Sequence, residues 1–138
     1  MTDTILSPQD SLIAIMLALS AADETIRTAE LVQIANIVEN LPIFAAYDQE
    51  RLSQMGQMVI GLVEQEDGLD QLFALGRRFL PERLWETAYA LACAVAAADG
   101  RITEPEGRML EEIRDELAID RLHAAAIERG ARARYMTV

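Results

Sequence analysis

Ala96-Ala97-Ala98-Asp99-Gly100-Arg101-Ile102-Thr103-Glu104-Pro105-Glu106 decides the fold. Upstream of it, Trp85, Ala88, Tyr89, Leu91, Ala92, Val95 and Ala96 leave almost no polar face, the pattern of a helix enclosed by other helices. Asp99-Gly100 ends that helix. Thr103 and Glu106 then stand at capping-box spacing, with Pro105 tolerated in the first turn of a new helix. Leu110, Ile113 and Leu117 give this second helix one apolar stripe. A buried helix, a sharp acidic turn and an amphipathic helix form one unit.

The same unit stands 76 residues earlier. Ala21-Ala22-Asp23 overlays Ala97-Ala98-Asp99, Ile26 overlays Ile102, and Glu30 overlays Glu106. Ile34, Ile37 and Leu41 overlay Leu110, Ile113 and Leu117, while Ala14 and Ala18 overlay Ala90 and Ala94. Glu24 stands where the second copy has Gly100. Two copies of one supersecondary unit predict an all-α, single-domain helical bundle with an internal pseudo-twofold duplication. The halves run over roughly 11–80 and 81–131 within one domain spanning 1–138.

The remaining segments agree with helices. Ser7-Pro8 opens the first, which is apolar on nearly every face. The second is expected to bury Leu31, Ile34, Ala35, Val38 and Leu41, and to stop at Pro42. Asp48 reads as the N-cap of a third, with Arg51 where a capping box takes Glu. Its stripe is Leu52, Met55, Val59 and Leu62. Residues 64–68 break it, and Leu69, Leu72, Phe73 and Gly76 mark a fourth helix, with Pro81 opening the next. A last helix is expected from about 120 to 131.

Composition excludes several functions. With 138 residues and 51% hydrophobic content, the chain can bury a core without disulfide or metal. Its net charge of −11 repels nucleic acid and anionic membranes. All 12 basic residues are Arg, which removes Schiff-base and P-loop lysine chemistry. One cysteine, Cys93, and one histidine, His123, permit neither a disulfide nor a Cys/His zinc site. Cys93 reads as a buried, inert thiol, and His123 has no nucleophile at triad spacing. Trp85 and Tyr89, at i, i+4, read as core packing. Residues 1–10 lack a signal-peptide pattern, and the apolar runs 12–19 and 88–98 are too short to cross a bilayer. A cytoplasmic setting without membrane insertion is expected.

The 99–106 turn is not an EF-hand, because the first two ligand positions would fall on Val95 and Ala97. It resembles the signature of the TerB-like, tellurite-resistance family, in which an apolar helix ends in A-x-A-D-G before an aliphatic residue and an acidic helix start. Here these are Ala96, Ala98, Asp99, Gly100, Ile102 and Glu106, and the resemblance extends over about 11–131. It implies an all-helical, internally duplicated bundle that accompanies stress-resistance systems. A TerB-like domain also occurs in a membrane-anchored DnaJ-type co-chaperone. No catalytic residues come with the resemblance. It does imply a divalent-cation site, Mg²⁺, Ca²⁺ or Mn²⁺, at the acidic turns, and hence at Asp23, Glu30, Asp99 and Glu106.

Capping alone also accounts for Thr103 and Glu106. Two further acidic groups read as solvated faces: Glu64, Glu66, Asp67 and Asp70, which could instead coordinate a cation with Gly68 at the bend, and Glu111, Glu112, Asp115 and Glu116, which could instead dock a basic partner. The expected function is a non-enzymatic interaction or sensor module with a protein partner. The alternatives are a metal-dependent enzyme using the same carboxylates, or a structural bundle that forms a homodimer. Arg77-Arg78 and the Arg-rich C-terminal segment are too small a basic patch for nucleic acid.

Overall fold

Helix boundaries follow local signals along most of the chain. The computed structural model describes residues 5–23, 27–98 and 100–138. Glu24, Ile26 and Asp99, all used in the repeat alignment, lie outside the described residues. Among the described residues there are seven α-helices: α1 (Pro8–Ser20), α2 (Thr28–Asn40), α3 (Glu50–Val63), α4 (Gly68–Phe79), α5 (Trp85–Ala96), α6 (Glu104–Glu116) and α7 (Arg121–Arg134). Single 3₁₀ turns, Pro42–Phe44 and Glu82–Leu84, lead out of α2 and into α5. Pro81 therefore precedes a 3₁₀ turn and does not sit inside the first turn of α5. No described helix is long and apolar enough to cross a membrane.

α1 and α5 form the centre, as their all-round apolar sequences require. Leu12, Ile13, Ile15, Met16 and Leu19 of α1 are fully buried, as are Ala88, Ala92 and Val95 of α5. The two helices pack on one another; α3 and α4 cover α1, and α6 and α7 cover α5. Shifted by 76 residues, the bounds of α2 fall on those of α6, and those of α1 fall within a residue of α5.

α2 is rotated relative to the expected stripe. Its buried residues are Glu30, Ile34, Ile37 and Val38, while Leu31 is 46% exposed and Ala35 faces solvent. The spacing i, i+4, i+7, i+8 is still that of one helix face, but a carboxylate occupies its first position. Pattern reading favours Leu31 over Glu30 and so turns the helix by one residue.

Arg51 also has a purpose that local sequence does not reveal. Gln49, not Asp48, is the N-cap of α3, and Asp48, one residue earlier, accepts from the Glu50 N–H at 2.9 Å. Arg51 reaches back to Asp10, in the first turn of α1. Its Nε donates to Asp10 Oδ1 at 3.0 Å and its Nη2 to Oδ2 at 2.6 Å. Tyr47 O–H donates to Oδ1 at 2.5 Å, and the Ser7 N–H donates to Oδ2 at 3.0 Å. Asp10 is 1% exposed, yet each oxygen accepts two hydrogen bonds. This knot fastens α3 to the start of α1.

Burial would raise the Asp10 pKa, but the Arg51, Tyr47 and Ser7 hydrogen bonds prevail and lower it from 3.8 to about 2. A carboxylate with a depressed folded pKa contributes stability above its unfolded pKa, and loses it as pH falls through the folded one. Between about pH 4 and pH 2 the protein should therefore lose about 2 kcal/mol that an Asp10→Asn variant does not lose. Urea unfolding of both proteins across that interval measures the difference.

Candidate metal centre

One acidic residue of α4 approaches two of α6. Asp70 sits in the first turn of α4, where a carboxylate complements the helix dipole. Glu112 and Glu116 lie one helical turn apart on α6, on the Met109 edge of its buried face. One carboxylate oxygen from each of Asp70, Glu112 and Glu116 lies within 4.8 Å of the others. Oxygens sharing one calcium ion, each about 2.3–2.6 Å from it, are at most about 5 Å apart, so the spacing is compatible with a common cation. All three are hard oxygen donors, suited to calcium, magnesium or manganese. Asp70 and Glu112 are exposed, so water would complete the coordination. Arg77, in the last turn of α4, pairs with Glu116 and offsets one of the three charges.

Sequence reading places Asp70 in one solvated run and Glu112 and Glu116 in another. Side chains reaching between α4 and α6 join them. Each helix alone shows only an ordinary charged face.

The acidic turns are arranged differently. Arg27 and Arg101, which precede α2 and α6, meet: Arg27 Nη1 donates to the Arg101 carbonyl at 3.4 Å. Asp23 forms an ion pair with Arg27 at 3.9 Å. Glu30 and Glu106 occupy the third position of α2 and α6, and both are 0% exposed. The carboxylates of Asp23, Glu30 and Glu106 do not by themselves gather within 4.8 Å of one another. Asp99 lies outside the described residues.

The capping box on α6 is present. Thr103 N–H and Oγ1 both donate to Glu106 Oε1 at 3.0 Å, and the Glu106 N–H donates to Thr103 Oγ1 at 3.3 Å. Capping accounts for only half of the Glu106 carboxylate, however. Oε2 is buried and has no hydrogen-bond partner among the described residues.

The other singled-out residues have structural partners. His123 Nδ1 lies 3.1 Å from Glu86, tying α7 to α5. Trp85 Nε1 donates to the Leu80 carbonyl at 2.9 Å. Tyr89 is buried, and its O–H donates to Glu128 at 2.5 Å. Burial pushes the Cys93 thiol up to about 12; its hydrogen bond with Tyr89 offsets this only in part. The thiolate is the reactive form, so Cys93 should resist maleimide at pH 7.5 in the folded protein and label fully in denaturant. A mass spectrum after each treatment checks this.

Compared with known proteins, the chain matches the family described as Tellurite resistance protein TerB over residues 9–129. No curated protein and no solved structure matches it. The family match begins in α1, ends in α7, and takes in both acidic turns and the α4–α6 carboxylates. The chain belongs to the TerB family.

Proposed function

We propose that this protein is a non-enzymatic interaction or sensor module of a tellurite-resistance-type stress response, and that it binds a divalent cation through Asp70, Glu112 and Glu116. The observation carrying this reading is the approach of those three carboxylates within 4.8 Å on two helices of a TerB-family bundle. Calcium, magnesium and manganese suit an exposed all-oxygen site, with affinity limited by hydration and by Arg77. Binding would relieve repulsion between α4 and α6 and so couple ion occupancy to their spacing. The protein is taken to act in the cytoplasm. Its partner would be another protein with a basic surface, docking on the acidic edge of α6 beside the ion.

A second reading places the cation at the turns, with Asp23, Glu30, Asp99 and Glu106 as ligands. The buried Oε2 of Glu106, without a hydrogen-bond partner among the described residues, favours it, and so does the contact of Arg27 with Arg101. It rests on an internal duplication, which the matching bounds of α2 and α6 support.

Manganese separates the two sites, because its unpaired electrons broaden nearby amide resonances. On titration of uniformly ¹⁵N-labelled protein, residues 69–71 and 111–117 should broaden first. Earlier broadening over 27–31 and 100–107 would move the ion to the turns. Uniform, non-saturating broadening would remove both sites.

A further inference from the structure

A cleft lined by several arginines lies between α6 and α7. It holds about 490 Å³ and is lined by Tyr89, Ile102, Leu110, Arg114, Arg129 and Arg132, among others. That volume is in the range of small-molecule sites. An adjoining hollow of about 450 Å³ shares Arg114 and adds Arg121. Four of the 12 arginines of a chain with net charge −11 therefore meet along one cleft.

The four arginines differ in how they are held. Arg114 donates to Glu128 at 3.2 Å, and Glu128 also accepts from Tyr89 at 2.5 Å. This chain of contacts fixes the wall of the cleft and neutralises Glu128. Arg129 and Arg132 are exposed, stand one turn apart on α7, and have no ion-pair partner among the described residues. Glu111 and Asp115, on the facing helix, leave the lining with a net positive charge. Ile102, 49% exposed, and the Leu110 side chain supply an apolar surface beside these cations. Unpaired guanidinium groups beside an apolar wall complement an oxyanion attached to a flat hydrocarbon body.

We propose that the α6–α7 cleft binds a small organic anion, a carboxylate or phosphate ester with an apolar body. Arg129 and Arg132 clasp the oxyanion, and Ile102 and Leu110 contact the body. This site is separate from the α4–α6 carboxylates and does not depend on cation binding there.

Phenyl phosphate, benzoate, inorganic phosphate and benzyl alcohol serve as probes, read through the Arg Nε–H resonances and the Ile102 methyl group. Phenyl phosphate or benzoate should shift Arg129, Arg132 and Ile102 together and saturate with a Kd on the order of 1 mM. The stronger of the two identifies the oxyanion. Inorganic phosphate and benzyl alcohol should bind at least about fivefold more weakly, since each supplies only half of the contact. The R129E/R132E variant should weaken binding about tenfold or more, and R83E, at an exposed arginine outside the cleft, should not. Both variants alter exposed residues, and their circular dichroism should match that of the parent. Unsaturated shifts at all surface arginines, or equal binding by R129E/R132E, would overturn the proposal.

Discussion

Replacing Asp10 with alanine is expected to lower the unfolding free energy by about 3–5 kcal/mol. The carboxylate is 1% exposed and accepts hydrogen bonds from Arg51, Tyr47 and the Ser7 backbone. Removing it strands the Tyr47 hydroxyl and the Arg51 guanidinium against the start of α1. It also removes half of the Ser7 capping box. Because Arg51 is 40% exposed, its charge can recover some water, which keeps the loss within this range. Arg51→Met should cost less than Asp10→Ala, since Asp10 keeps Tyr47 and Ser7 as partners. Urea midpoints for both variants test the order; an Asp10→Ala midpoint equal to that of the parent would remove the knot from the list of stabilising features.

Gly68→Ala should be of similar size, about 3 kcal/mol, for a different reason. A Cβ on Gly68 would stand 1.5 Å from the Leu62 carbonyl oxygen. That oxygen belongs to the backbone at the end of α3, so no side-chain rotation relieves the clash. The α3–α4 corner must open. Asp70 lies two residues further along α4, so the change should also draw it away from Glu112 and Glu116 and weaken cation binding. Gly56→Ala is the contrasting case. A Cβ there meets nothing within 4 Å, and the position is inside α3, so a gain of about 0.5–1 kcal/mol is expected. Thermal melts of the two variants should move in opposite directions.

These examples show which features are legible in sequence. Ser7, Thr103 and Asp120 announce helix starts because capping is local, and their side chains accept the expected backbone N–H groups. The central positions of α1 and α5 are legible because no other location suits helices apolar on every face. The burial of Asp10 is only half legible: its capping box with Ser7 is local, but Tyr47 and Arg51 lie on a later turn and helix. The inward turn of Glu30 escapes notice because pattern reading assigns acids to solvent. For the cation site, each contributing helix displays only a charged edge, and the approach of the three side chains is a property of the tertiary structure. Glu106 is intermediate: the capping box is readable, but the second, buried oxygen becomes visible only in three dimensions.

Thermal unfolding of chelator-treated protein, with Mg²⁺, Ca²⁺ or Mn²⁺ added singly, most directly tests cation binding by the α4–α6 carboxylates. A ligand that binds only the folded state must raise the midpoint. At about tenfold excess over Kd the gain is about 1.4 kcal/mol, or roughly 3–5 °C for a domain of this size. The predicted result is such a rise with at least one ion, abolished when Asp70, Glu112 and Glu116 are changed to Asn, Gln and Gln. An unchanged midpoint with every ion, or an equal rise in the triple variant, would contradict it.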